Sequence, residues 1–136
     1  MDLINAFAGN LADDPQLRYL SNGTAMLEFV VLVNRDVKND AGEYEKQPPT
    51  RKPVKVFGRT AEHIAESITR GSRVTVIGAE QTRAYTKKDG EQGLFTETVV
   101  DGHFGEVGLS LKYAPATSAK ASRATVSTEK ADTTGQ

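Results

Sequence analysis

The chain has 136 residues, no cysteine, no tryptophan and a formal net charge of -1. That length suits one domain with a tail rather than two domains, and 38% hydrophobic with 26% charged residues is the balance of a globular chain. Without cysteine there is neither a disulfide framework nor a thiolate metal site, which fits a reducing compartment.

The first residues, MDLINAFAGNLADD, lack the basic leader and long apolar core of a signal peptide. No apolar run approaches the roughly 18 residues of a membrane span, so a soluble cytoplasmic protein is expected. Leu3 to Gly9 reads as a first strand, ending at Gly9-Asn10. After the breaker Pro15, a short strand covers Leu17 to Leu20, and Ser21-Asn22-Gly23 signals a turn because Asn and Gly tolerate positive φ. Ala25 to Asn34 is the strongest strand: Ala25, Leu27, Phe29, Val31 and Val33 share one face, and Met26, Val30 and Leu32 make the other apolar enough to be covered too. The next nineteen residues, RDVKNDAGEYEKQPPTRKP, read as a long loop, functional or mobile.

Val54 to Phe57 resumes the alternation, with Val54 and Val56 on one face and Lys55 and Phe57 on the other. TAEHIAESITR, Thr60 to Arg70, reads as the one helix. Thr60 caps it, Ala61, Ile64, Ala65 and Ile68 form its apolar stripe, Glu66 and Arg70 pair on its surface, and Gly71 stops it. Ser72 to Ala79 is a strand, and a hairpin arm runs from Glu80 to about Leu94 with Lys-Asp-Gly at its tip. Phe95 to Asp101 is a further strand and Glu106 to Tyr113 an extra C-terminal one. From Ala114 the chain is Ala, Thr, Ser and Lys, a composition that cannot offset its ordering entropy, so 1–113 is expected to form the domain and 114–136 a disordered tail. Three strands, a helix, then two strands is the order of an all-β, five-stranded oligonucleotide/oligosaccharide-binding (OB) barrel, a fold that binds oligomers across one strand face and its loops.

The near-zero net charge hides an uneven distribution. From Arg51 to Lys88 there are nine Lys or Arg against three acids, a local charge of +6 with about -7 elsewhere. Local charge governs counterion release on a polyanion. Within this stretch, EQTRAYTKKDG sets Tyr85 between Arg83 and Lys87-Lys88 on the arm. An aromatic there can pack across its own hairpin, with the lysines solubilising an edge; equally, it offers a stacking surface worth roughly 1–3 kcal/mol per base. Phe57, outward beside Lys55, favours the second reading, since an exposed ring needs something to cover it. Arg35, Lys38, Arg51 and Lys52, at the ends of two strands, suit a groove that tracks a phosphate backbone, and no bidentate base-reading arrangement is discernible.

Signals for catalysis are thin. His63 falls outside the helix stripe, and His103 has no acidic or nucleophilic partner in sequence. There is no HxxxH, no phosphate-cradling Gly-rich loop with Lys and no GxSxG. Gly102-His103-Phe104-Gly105 matches the GXXG loop of KH domains, but its flanks read as strands, which makes it a chance match. Dispersed acids give no metal site.

AGNLADDPQLRYLSNGTAMLEFVVLVNR, with its G-N-L, D-P, R-Y and N-G, resembles the start of the bacterial single-stranded DNA-binding protein family. VFGRTAEHIAESITRGSRVTVIGAEQTRAYTKKDG is similar to that family's second signature, and the resemblance covers about residues 3–113. EVGLSLKYA is similar to the extra strand with which the actinobacterial branch clasps neighbouring subunits. The resemblance implies a cytoplasmic OB-fold homotetramer that coats single-stranded DNA in replication, recombination and repair, with no catalysis, no cofactor and no metal. By motif, Phe57 and Tyr85 match stacking positions, and Arg59, Arg70 and Arg83 match cationic positions near the DNA.

Two departures stand out. The family places tryptophans after strand 2 and at the start of strand 3, where this chain has roughly Asp36-Val37 and Arg51. The guanidinium of Arg51 can still stack through its plane. The chain closes on VSTEKADTTGQ rather than on an acidic stretch with an apolar tip, so partners recruited through such a tail are not expected, as in a paralogue or a plasmid- or phage-borne version. The expected DNA path is Arg35, Arg51, Lys52, Lys55, Phe57, Arg59, Arg70, Arg73, Arg83, Tyr85, Lys87 and Lys88. The rival reading is an OB-fold assembly module of the replication machinery with weak nucleic-acid binding; single-stranded RNA binding is the other.

Overall fold

The described residues form nine strands and one helix. The structure, a computed structural model, describes residues 3–116; all but 114–116 of the tail read at 114–136 lie outside them. In chain order the elements are β1 (Ile4–Leu11), β2 (Gln16–Tyr19), β3 (Ala25–Val33), β4 (Asp36–Lys38), β5 (Tyr44–Lys46), β6 (Thr50–Phe57), α1 (Arg59–Ala65), β7 (Arg73–Thr86), β8 (Gln92–Val100) and β9 (Glu106–Leu109).

Five strands close into a ring, β1-β3-β6-β8-β7 and back to β1. All its pairings are antiparallel except β6 with β8. The helix lies between the third and fourth ring strands, the expected OB order. Leu27, Phe29 and Val31 of β3, Val54 and Val56 of β6, Val74 and Val76 of β7 and Val100 of β8 fill the interior, with Ala61, Ile64 and Ile68 closing one end. Alternation therefore works as read in the ring: one face of each ring strand is removed from water at about 25 cal/mol per Å2 of apolar surface.

The expected loop at 35–53 is instead partly ordered by pairing. Asp36–Lys38 and Tyr44–Lys46 form a small hairpin, and the side chain of Asn39 accepts the N–H groups of Ala41 and Glu43 at its turn. The third ring strand begins at Thr50 rather than Val54, which places Arg51 and Lys52 on β6, opposite Leu32 and Val31. Pro53 fits there because the pairing with β8 starts only at Val54, leaving β6 an edge on that side, where a missing N–H breaks no ladder bond.

The helix is shorter than the expected Thr60–Arg70, and Thr60 does not cap it. Gly58, at φ 90°, occupies the cap position without a side-chain bond; its N–H is bound to the Ala25 carbonyl, which turns the chain off β6. After Ala65 the Ser67 hydroxyl donates to the His63 carbonyl at 2.8 Å, competing with the helix ladder. The Arg70 N–H then donates to Asp14 Oδ1 at 2.8 Å, and Gly71, at φ 86°, donates to the Leu11 carbonyl. With the helix ended, no Glu66–Arg70 ion pair forms among the described residues. The arm is one continuous extension of β7 and β8, registered from Ala79 opposite Val99 to Thr86 opposite Gln92. β9 is shorter than the expected Glu106–Tyr113 and pairs with β7 of its own chain, Val74 opposite Leu109.

Glycines mark the close approaches in the ring. A Cβ on Gly9 would stand 2.2 Å from the Leu32 carbonyl oxygen, where β1 passes from β7 to β3. Backbone on a central strand cannot rotate aside, so Gly9→Ala is expected to destabilise by about 3 kcal/mol, the upper range for overpacking. Gly108→Ala, with nothing within 4 Å of the added carbon, should change stability by less than about 1 kcal/mol. Urea unfolding of the two variants beside the parent checks this; equal stabilities would mean β1 does not cross β3 so closely.

Candidate nucleic-acid interface

Residues opposed across a strand pair share a face, so the registers map the outside of the barrel. On β3 and β6 the outer pairs are Met26/Phe57, Glu28/Lys55 and Leu32/Arg51. Lys55 lies beside Val99 on β8. On β8 and β7 the outer pairs continue as Val99/Ala79, Glu97/Gln81, Phe95/Arg83 and Gly93/Tyr85. One outer surface thus joins Arg51, Lys55 and Phe57 of β6 to Arg83 and Tyr85 of β7, with β8 between the two strands. A groove of about 540 Å3 opens on it, lined by Asp14, Glu28, Arg51, Pro53, Phe95 and Glu97 among others.

Tyr85 does not pack against a partner side chain across the hairpin. It faces Gly93, and a Cβ there would stand 2.6 Å from Tyr85 Cζ, so the ring lies directly over the glycine backbone. The other side is open, and Tyr85 is 41% exposed. Phe57 is half-buried beside buried Met26.

The cations divide into held and free. Glu97, its side chain only 9% exposed, takes Lys55 Nζ at 3.3 Å and Arg83 Nε at 3.2 Å. Glu28 receives Arg18 at 2.9 Å and lies 3.9 Å from Lys55. These pairs form a ribbon, Arg18–Glu28–Lys55–Glu97–Arg83, running from β2 across β3, β6 and β8 to β7. Among the described residues, Arg35, Arg51, Arg59, Arg70, Lys87 and Lys88 carry no ion pair. Lys87 and Lys88 stand at the arm tip, where the Lys87 N–H donates to the Glu91 carbonyl and Gly90 takes φ 89°. Arg59 opens the helix two residues beyond Phe57, and Arg35 follows β3.

Two expected path residues face elsewhere. Lys52 points to the barrel interior, with Nζ 5.5 Å from the Phe7 ring centroid and 3.5 Å from Glu80; Asn5 donates to the same Glu80 oxygen and to Thr98. Arg73, at the start of β7, lies with its guanidinium 4.8 Å from the Tyr113 ring and donates to Ser110 Oγ at 3.1 Å. His63 is exposed. His103 sits in a turn tied by Asp101, whose carboxylate accepts the N–H groups of His103 and Phe104 and is held below its ordinary pKa range chiefly by those two bonds. The GXXG match is thus a strand-to-strand turn.

Phe95, Glu97 and Gly93 do not stand out as site residues one at a time. Their signal is the arm register: given the Lys-Asp-Gly tip, pairing outward from it sets Tyr85 on Gly93 and Arg83 on Phe95. Tyr44, 72% exposed on the small hairpin, was hidden in the supposed loop.

Residues 6–107 match the single-strand binding protein family. The "Single-stranded DNA-binding protein" of Mycobacterium leprae is 37% identical over 123 residues, covering 90% of this chain and 71% of its own length. That of Mycolicibacterium smegmatis is 38% identical over 116 residues, covering 85% and 68%. Among solved structures, the Plasmodium falciparum SSB complex with ssDNA aligns with a TM-score of 0.72 at 17% identity, over 81% of this chain and 95% of that one, a likeness of fold. With both signatures, the closed five-stranded ring and a match over most of its length, the chain belongs to the single-strand binding protein family.

Proposed function

We propose that this chain binds and protects single-stranded DNA without base choice, through the outer surface of β6, β8 and the arm. The observation that carries the reading is Tyr85: a ring laid over Gly93, open on its other side, on the same face as Arg83, Lys55 and Phe57. A base of any identity has a π-face to stack there. Arg51, Arg59, Lys87 and Lys88, with Arg35 at the margin, neutralise phosphates and release counterions. Lys55 and Arg83 are anchored by Glu97, so their contribution is positional as much as electrostatic. Lys52 and Arg73 stand off the path, each engaged elsewhere.

The rest of the proposal rests on family membership. Residues 1–113 are the binding domain, the working unit is a homotetramer, and the setting is replication, recombination and repair in the cytoplasm. The role is binding rather than catalysis and uses no cofactor. Among the described residues no helix is long and apolar enough to cross a membrane.

A dye-labelled thymidine oligomer titrated by anisotropy at two salt concentrations, beside an equivalent duplex, tests this. Tight, salt-dependent binding to the single strand with little to the duplex is expected; equal affinity for both would shift the reading to a protein-docking module. Replacing Lys87 and Lys88 together by Ala should flatten the salt slope by about 1.4, roughly 0.7 for each lost phosphate contact. Tyr85→Ala should weaken binding by about 1–3 kcal/mol and leave that slope unchanged.

Gly93→Ala places a methyl group against a side chain that can swing away, so it should spare stability yet weaken binding towards the level of Tyr85→Ala. In a Tyr85→Ala background it should have no effect on binding, because the ring it displaces is gone. A Gly93→Ala loss that persists without the tyrosine would assign the glycine some other role.

A further inference from the structure

Arg83 has two partners within the arm, and together they specify a geometry. Its guanidinium carbon lies 4.9 Å from the centroid of the Phe95 ring, over that ring. Its Nε donates to Glu97 Oε2 at 3.2 Å. The anchor is nearly enclosed and the arginine is not: Glu97 is 9% exposed at its side chain and Arg83 51%. Lys55, on the opposite side, shares the same carboxylate oxygen at 3.3 Å, so Glu97 holds Arg83 without cancelling the positive charge of the group. Phe95 also lines the groove on this face.

We propose that Arg83, seated on Phe95 and anchored by Glu97, is a second stacking platform for a base of the bound strand. The assignment deepens the single-strand reading and rests on it. A guanidinium is planar and weakly hydrated, and it stacks on aromatic faces, which an ammonium does not do as well. Seated over Phe95 with half of its side chain exposed, it leaves guanidinium surface accessible to a base. Tyr85 lies two positions along the strand on the same face, roughly 7 Å away at strand spacing. The arm then offers two neighbouring flat surfaces, a ring on glycine and a guanidinium on a ring. Phe95 and Glu97 are positioning residues, acting through Arg83.

A plain phosphate contact makes the opposite demand of Arg83, since any cation would serve. Arg83→Lys keeps the charge and removes the plane. The full-length variant is titrated against a thymidine oligomer and against an abasic oligomer of equal length, which keeps the phosphates and lacks the bases. The platform predicts a loss of roughly five- to tenfold on the thymidine oligomer, about that of one modest base stack, and no loss on the abasic one. Phe95→Leu should show the same base-dependent loss, and adding Arg83→Lys to it should cost nothing further. Glu97→Gln, which weakens the anchor, should lower affinity for the thymidine oligomer alone.

Equal effects of Arg83→Lys on both oligomers, including none on either, would overturn the platform while leaving single-strand binding intact. A gain on both from Glu97→Gln would overturn the anchor and make Glu97 a simple electrostatic brake. If Phe95→Leu fails to fold, the Arg83→Lys comparison decides by itself. Wild-type protein that binds the thymidine oligomer no better than duplex would defeat the underlying reading, a result separate from any variant.

Discussion

The structure depends on one strand serving two assemblies. The first half of β7 closes the barrel against β1, from Arg73 opposite Asn10 to Ala79 opposite Ile4. Its second half leaves the barrel and pairs with β8 to build the arm. No residue interrupts the alternation between the halves, so every odd-numbered side chain from Ala79 to Tyr85 stays on the outside. Gly78 makes the passage feasible: a Cβ there would stand 2.6 Å from Thr98 Cγ2 and 2.7 Å from the Val99 carbonyl oxygen. The arm therefore inherits its orientation from the barrel, and a face continuous with β6 follows from strand geometry alone.

The two faces of the arm differ in chemistry. One carries Thr82 and Thr96, with their hydroxyls 2.7 Å apart, then Ala84 and Leu94. The other carries Arg83 on Phe95 and Tyr85 on Gly93. Aromatic area and fixed cations are thus concentrated on the face that continues the barrel's outer surface, the two kinds of group that base stacking and phosphate contact require.

The ion-pair ribbon changes how the charge excess of this region should be understood. A bare count of Lys and Arg between residues 51 and 88 treats each cation as available. Here Lys52, Lys55 and Arg83 already hold carboxylates, and Lys55 is only 14% exposed. Pairs at the exposed end, such as Arg18–Glu28, contribute little to stability. The enclosed Glu97 is different in kind, because without Lys55 and Arg83 it would be a poorly solvated, unpaired charge. Its cations serve as structure first, whereas Lys87 and Lys88 at the arm tip and Arg51 and Arg59 around β6 carry no ion pair among the described residues.

Period-two alternation, turn residues and the placement of charge are local properties, so they were readable in sequence: the ring strands, the OB order, the buried helix stripe, and Tyr85 among cations on an arm. Strand and helix limits were less so. Pro53 looked like a loop residue because nothing local says that β8 ends its pairing one position short, and Thr60 looked like a cap because the bond from Gly58 to Ala25 is long-range. Arg83 opposite Phe95 and Tyr85 opposite Gly93 follow from the arm register once its tip is placed, whereas the seating of the guanidinium over the ring and the sharing of Glu97 by Lys55 and Arg83 were decided by tertiary structure alone. Glu97 joins β6 to the arm across β8, and which residues meet there is set by the register of the closed sheet, a property that no single strand encodes.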